Sequence, residues 1–346
     1  MIYHVTCSTD DNYLQHCVAM LCSLYENNRN SHFCLHLLVN SLSQDGRNII
    51  SELGKRYDNE TIVHEIDESL VENLSMNTWA VFNGKNMYSI ATYYRIFLPS
   101  ILPEIVDKIL YLDCDVIVLD DVSELYHLNM EGYGIAAVKD ASPFDSYHRN
   151  KMGLGLQHSA FCAGVMMINL AYWRENKCQE KLLEYSSRKW DNAYLQDQDA
   201  LNYVFRDRWL VLPYKWGKTP CSIVPLDNDQ KSYDCYEYAY KPSIIHYSSH
   251  TKPWFNIWFE ERKYYWHYLK VSDYQNPKIT KLLLKNRIKL SLTVFRYLIN
   301  RYVRPIVPNF IEIIIKDVYG LVLLFFSMPF SRKRKTIMLN RWLSRY

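Results

Sequence analysis

Asp113 and Asp115 stand two residues apart in "LYLDCDVIVLDD", between "IVDKILYL" and "VIVL", two runs apolar enough to be buried. In an extended segment alternate side chains share a face, so these two carboxylates would point the same way. Acids within apolar surroundings are costly unless a cation or hydrogen bonds compensate them. Magnesium or manganese bridging to a diphosphate would do so, since both metals favour carboxylate and phosphate oxygens. The competing reading is a strand end, with Asp115 capping a turn.

Other chemistry-bearing residues recur in short clusters. His246, in "IIHYSSHTKPW", follows two isoleucines of strand character and precedes Lys252. An imidazole would complete an oxygen-rich site and tilt it toward manganese, and Lys252 would neutralise a phosphate as a point charge. Taken alone, His246 reads rather as a core histidine with its ring nitrogens satisfied. "STDDNY" supplies Asp10, Asn12 and Tyr13, an acceptor, an amide and an aromatic face suited to a base, although Asp and Asn also excel at helix caps. "YLQDQDALN" places Asp197, Gln198 and Asp199 at a helix start, where a helix dipole favours acids in any case. Asp140 ends "GIAAVKD", and Arg95 lies on an aromatic-rich segment, placed to reach a phosphate or sugar or to pair with an acid.

These clusters need elements to hold them. "IYHVTC" reads as a strand followed by a helix in "YLQHCVAMLCSLYEN"; "FCLHLLVN", "SQDGRNIISELGKRYD" and "TIVHEID" then read as strand, helix and strand. Such alternation implies an α/β chain with a mostly parallel sheet covered by helices. A helix is expected over 85–98, ending before Pro99; "VIVL", "GIAAVKD" and "AGVMMINL" read as strands, "QDQDALNYVF" as a helix, and the core is expected to end near Trp266. Ligands of doubly wound sheets bind at the carboxyl ends of strands, and each cluster falls at such an end. No Walker-type loop and no G-x-G-x-x-G occurs among the ten glycines. A metal is the natural substitute for backbone amides in holding phosphate.

Composition narrows the class. The net charge of +3 conceals a body of −9 over the first 280 residues and a basic segment, 281–346, of +12. A basic end of this kind reads as a membrane-surface or nucleic-acid contact. Nine cysteines without a CxxC pair suggest neither a zinc site nor a disulfide framework, and fit a reducing cytosol. The start, "MIYHVTCSTDDNY", lacks the pattern of a signal peptide.

In order and with compatible spacing, "TDDNY", "ATYYRIFL", "LYLDCDVIV", "AGVMMINL", "QDQDALN" and "HYSSHTKPW" resemble glycosyltransferase family 8, and most nearly its bacterial lipooligosaccharide and lipopolysaccharide galactosyl- and glucosyltransferases. The resemblance covers about residues 2–260. It implies a GT-A, Rossmann-like fold, a UDP-glucose or UDP-galactose donor, manganese (magnesium as a substitute) and retention of anomeric configuration. It implies that Asp113, Asp115 and His246 bind the metal, that Asp10, Asn12 and Tyr13 hold uracil and ribose, and that Lys252 holds the diphosphate. Arg95 and Asp140 would meet the donor sugar or its phosphate, and Asp197, Gln198 and Asp199 would lie at the sugar site, the last two beside the anomeric carbon as catalytic residues.

Two positions depart from the family pattern. Cys162 stands where Asn is frequent and Ser249 where Gly is frequent; they are the sequence features that favour a non-catalytic nucleotide-sugar-binding protein. An amide at position 198 is a poor nucleophile, so front-face attack is expected over a double displacement. The acceptor is expected to be an oligosaccharide or lipid-linked glycan, with a glycoprotein as the alternative.

The catalytic domain is expected over 1–266 and a helical, basic extension over 267–346. Within it, "FIEIIIKDVYGLVLLFFSMPF" has an uninterrupted apolar stretch of 13 residues, Val318 to Phe330, short of the ~20 needed to span a bilayer. With "SRKRK" following, this reads as peripheral attachment to an anionic membrane at the inner face of the plasma membrane, with the protein cytoplasmic. An apolar block of this kind does not suit nucleic acid.

Overall fold

The computed structural model describes residues 2–72, 74, 81–82, 85–86, 89–140, 153–154, 158–187, 197–220, 241–248 and 251–298. The described residues fall into two compact units, one drawn from 1–220, 224–253 and 261–278, the other from 221–223, 254–260 and 279–346.

The first unit is built on a seven-stranded sheet. Its opening follows the expected alternation: β1 (Ile2–Ser8), α1 (Leu14–Glu26), β2 (His32–Val39), α2 (Gln44–Arg56) and β3 (Glu60–Glu65). β2 is buried along almost its whole length, as expected of a parallel strand covered on both faces. Two short strands, β4 (Val81–Phe82) and β5 (Lys85–Asn86), pair with each other. Then follow β6 (Lys108–Leu112), β7 (Val116–Val118), β8 (Ile135–Lys139), β9 (Phe161–Asn169), β10 (Trp209–Leu212) and β11 (Ile244–His246).

The strand order is β10-β8-β9-β6-β1-β2-β3, with β7 and β11 forming a separate antiparallel pair. Within the large sheet only β9 runs against its neighbours. The expected mostly parallel sheet covered by helices is therefore present, and the reversed β9 makes it a mixed one. Because β9 is reversed, its first residues lie beside the carboxyl ends of β6 and β8, with Val165 opposite Leu112 and Phe161 opposite Lys139.

The helix expected over 85–98 differs. Lys85 and Asn86 are in β5, a 3₁₀ helix runs from Ile90 to Phe97, and an α-helix, α3 (Leu98–Ile101), carries Pro99 in its first turn. A proline there surrenders no hydrogen bond, because the first amides of a helix have no intrahelical acceptor. Pro99 therefore opens a helix instead of closing one. The remaining helices of this unit are α4 (Ser123–Tyr126), α5 (Leu170–Glu175), α6 (Cys178–Ser187), α7 (Asp197–Phe205) and α8 (Arg262–Val271). Trp266 lies in the middle of α8, its indole N–H donating to Pro253 O at 3.0 Å.

The second unit contains α9 (Leu284–Leu298), which buries Leu290, Val294 and Tyr297 and exposes Lys285, Arg287 and Lys289. Leu282 N–H donates to Asn256 Oδ1 at 2.9 Å. The apolar and basic stretch after residue 298 lies outside the described residues. Among those described, no helix is long and apolar enough to cross a membrane.

Candidate active site

The two acids singled out in the sequence sit in a turn, not in an extended segment. β6 ends at Leu112 and β7 begins at Val116, so Asp113–Asp115 form the corner between them. Their carboxylates nevertheless converge, because β11 lies antiparallel to β7 with His246 opposite Val116, and Tyr247 N–H donates to Asp115 O at 2.9 Å. His246 Nε2 lies 3.2 Å from Asp115 Oδ1 and 3.8 Å from Asp113 Oδ2. Donor atoms of all three residues fall within 4.8 Å of one another.

The site has two sides. On the Asp113 side, Oδ1 accepts from Arg95 Nη2 and from the Tyr111 hydroxyl, both at 2.9 Å. Arg95 is only 3% exposed. Its Nη1 donates to Ala163 O at 2.6 Å, its Nε to Thr92 O at 3.0 Å, its Nε also pairs with Asp197 Oδ2 at 3.1 Å, and its guanidinium lies 4.0 Å over the Tyr111 ring. Arg95 is thus the buried anchor of Asp113. Burial pushes the Asp197 carboxyl up to about 7 even beside Arg95.

On the Asp115 side, Lys252 Nζ donates to Asp115 Oδ2 and, at 2.7 Å, to Tyr247 O. Burial opposes charge on Asp115, but Lys252 and His246 outweigh it and hold the carboxyl below the usual range. Oδ1, by contrast, is buried and has no hydrogen-bond partner. His246 Nε2 lies beside it at 3.2 Å. Two carboxylates and an imidazole nitrogen gathered at one corner are ligand types that fit a hard or borderline divalent cation.

His246 is itself held from behind. Cys162 Sγ lies 3.3 Å from Nδ1, which leaves Nε2 for the acids. Gly164 makes the ring's position available: a Cβ there would lie 2.2 Å from His246 Cε1 and 2.5 Å from Nε2. The Gly164 carbonyl also accepts from Asp113 N–H at 2.8 Å. Neither glycine nor cysteine was chosen from the sequence for these roles; the available signal was a glycine inside an apolar strand, a mark of close approach.

Gln198 and Asp140 are brought together by the opening of β9. The Gln198 carbonyl accepts from Ala163 N–H at 2.9 Å and its amide donates to Asp140 Oδ2 at 3.1 Å. Since Ala163 O serves Arg95, one peptide links both networks. Asn202, unremarked in the sequence, fixes α7 to the same strand by accepting from Phe161 N–H at 2.7 Å and donating to Phe161 O at 3.0 Å. Asp197 and Asp199 are buried in the first turn of α7.

Asp10, Asn12 and Tyr13 occupy the loop after β1, the strand paired with β6. Asp10 Oδ1 accepts from Tyr13 N–H at 2.9 Å, which closes the turn into α1, while Asn12 is exposed and Tyr13 39% so. Cys114 ties the acid-bearing turn to this loop, its thiol donating to Ser8 O at 3.1 Å. The seven described cysteines are all unpaired thiols, but Cys7, Cys17 and Cys114 meet in a buried cluster that sequence spacing does not reveal. Ser249 lies outside the described residues.

Known proteins share this fold. A crystal structure of the galactosyltransferase LgtC with donor and acceptor sugar analogs superposes with a TM-score of 0.65 at 20% identity, covering 83% of this chain and 99% of that one. The shared fold is GT-A. General stress protein A of Bacillus subtilis is 27% identical over 81% of this chain and 98% of its own length. Lipopolysaccharide 1,2-glucosyltransferase of Escherichia coli is 27% identical over 85% and 87%. A longer relative, the probable glycosyl transferase Gly of Streptococcus gordonii, is matched over 32% of its length. Residues 4–258 match the model of glycosyl transferase family 8, so this chain is a member of that family and a glycosyltransferase.

Proposed function

We propose that this chain is a retaining hexosyltransferase that moves glucose or galactose from a UDP-sugar to a glycan acceptor of a bacterial surface polysaccharide, of the lipopolysaccharide-core or capsule type, with manganese as cofactor. The observation that carries this reading is the convergence of Asp113, Asp115 and His246, with an unpartnered Asp115 oxygen among them. Asp113, Asp115 and His246 would hold the ion, which when bound supplies Lewis acidity to a leaving diphosphate.

The protein's own groups do the rest. Lys252, held by Asp115 and Tyr247 O, sets a cation beside the ligand set, where charge develops on a departing phosphate. Arg95, committed to Asp113 and Asp197, acts as a positioning residue and keeps one Asp113 oxygen turned away from the ion. Asp10, Asn12 and Tyr13 offer an acceptor, an amide and an open aromatic face for the uridine. Asp140 and Gln198 hold each other where the sugar would lie.

Gln198 supports front-face attack. Its carbonyl accepts from a backbone amide and its nitrogen donates to Asp140, so it is a fixed dipole suited to steadying positive charge at the anomeric carbon. The acceptor's proton would pass to the departing phosphate oxygen. Asp199 lies in the same turn of α7; a covalent sugar adduct trapped on Gln198 or Asp199 would count against this scheme.

The basic, apolar stretch after residue 298 supports peripheral attachment to the cytoplasmic face of the plasma membrane, which suits a lipid-linked acceptor. Truncation after Leu298 is expected to move the protein to the soluble fraction, and unchanged sedimentation with membranes would refute attachment through this stretch. The function itself is tested by UDP release from UDP-glucose and UDP-galactose with and without manganese. Manganese-dependent release with one of them is expected; none with any UDP-sugar would sink the reading.

A further inference from the structure

A second group of ligating side chains lies at the other end of the same strands. His4 on β1 is paired in register with Cys34 on β2, and Cys34 with Glu60 on β3. His36 follows Cys34 by two residues and therefore shares its face. His4 Nδ1 lies 3.0 Å from His36 Nε2, and Cys34 Sγ lies 3.7 Å from the same Nε2. One donor atom from each of the three falls within 4.8 Å of the others.

We infer that His4, Cys34 and His36, with Glu60 beside them, form a binding site for one divalent cation of the zinc class. Tetrahedral zinc, at ~2.05 Å from nitrogen and ~2.3 Å from sulfur, holds its ligands about 3.4 Å apart for two nitrogens and about 3.6 Å for nitrogen and sulfur. The 3.0 and 3.7 Å seen here differ from these by a few tenths of an ångström. The charge of Glu60 acts on both His4 and Cys34.

The ligand states agree with this geometry. Burial lowers His4 and brings His36 down to about 4, so both imidazoles are neutral at pH 7 and carry a free lone pair. His36 Nδ1 lies 3.0 Å from His64 Nε2; with His36 as donor, its Nε2 lone pair is turned to the cluster and His64 orients a ligand as outer partners of zinc-bound histidines do. Burial pushes the Cys34 thiol up to about 11, so zinc must displace its proton: the bond to sulfur forms, the S–H bond breaks, and one proton passes to buffer.

The site is distinct from the acid-bearing turn. Val5 pairs with Leu110, so His4 stands about four residues of strand, on the order of 13 Å, from Asp113. The ligand types differ as well: thiolate and imidazole here select zinc, and two carboxylates with one imidazole there accept manganese.

Cobalt(II) is the probe, because a thiolate ligand gives it a near-ultraviolet charge-transfer band that carboxylates and imidazoles do not. The full chain, reduced and with manganese present, is expected to take up one cobalt with that band, to release one proton, and to lose the band when zinc is added. C34S and H4Q, checked for folding by circular dichroism, are expected to lose it. C7S, which breaks the other thiol cluster, and D115N are expected to keep it, and H64N to weaken uptake about tenfold. UDP release by C34S should match the unaltered chain. No band in the full chain, or a band that persists in folded C34S, overturns the inference.

Discussion

The two sides of the acid-bearing turn are built on opposite principles. Asp113 is tied to a buried arginine and a tyrosine through one oxygen, and that arginine also pairs with Asp197 and with two backbone carbonyls. Asp115 keeps an oxygen that is buried and without a hydrogen bond. The first arrangement is anchored on a buried arginine that the protein holds from several sides. The second sets Lys252 on one oxygen and leaves the other without a hydrogen bond, next to His246. One carboxylate is spent on structure and the other is held ready at a cost to stability, as is frequent where function requires a desolvated charge.

The sharpest way to break the comparison is to neutralise each acid in turn. Asp115→Asn and Asp113→Asn are both expected to reduce manganese-dependent UDP release on the order of 10²–10³-fold. Their stabilities should diverge. Asp113→Asn leaves the Arg95 guanidinium with Asp197 alone and is expected to cost about 1–3 kcal/mol in denaturant unfolding. Asp115→Asn removes the anionic partner of Lys252 and His246 but also a buried, unpartnered oxygen, and it leaves Lys252 its bond to Tyr247 O, so the loss of stability should be smaller than for Asp113→Asn. Equal destabilisation of the two variants would remove the distinction.

Gly164→Ala tests whether the Asp115 side depends on ring placement. An added methyl would overlap the His246 imidazole at 2.2–2.7 Å, and moving the ring takes Nε2 away from both acids. About 100-fold loss of activity is expected, with weaker manganese binding by equilibrium dialysis. The Asp113 network does not use this space, so the variant should stay folded. Activity within a few-fold of the unaltered chain would show that His246 is not a ligand.

What the sequence made legible, and what it hid, follow the same division. The strands and the mostly parallel sheet came from local pattern, and an i, i+2 pair of acids between apolar runs is visible in one dimension, but the metal role of Asp113, Asp115 and His246 was read from the resemblance of six ordered motifs to a family. Arg95 was readable only as a group that meets a phosphate or an acid; its burial against Asp197 depends on α7 packing beside the 3₁₀ helix, which no spacing records. Cys162 appeared as a departure from a family pattern, and only the pairing of β9 near β11 reveals that it faces His246. The helix end expected at Pro99 failed because proline suits a first turn as well as a stop. The His4, Cys34 and Glu60 row escaped notice for a related reason: its residues are adjacent across strands and far apart in sequence.

The smallest expected effect concerns protons. Burial disfavours charge on His246, but Cys162 and Asp115 outweigh it and hold the imidazole well above its ordinary range. A ligand must be neutral, so manganese competes with that proton, and apparent affinity should climb as pH rises toward the His246 pKa and level off above it. For folding without metal the sign is reversed: the raised value contributes stability that is fully present below about pH 6.5 and is lost as pH rises through the folded value. Cys162→Ala removes one of the two groups that favour the imidazolium and also the group facing Nδ1. It should shift the pH midpoint of manganese binding downward while weakening the alkaline-limit affinity about tenfold. Titration of manganese binding across pH 5.5–9 separates the two effects. An unmoved midpoint would mean that Asp115 alone sets the proton on His246, and the Asp115 side of the turn would then need no support from β9.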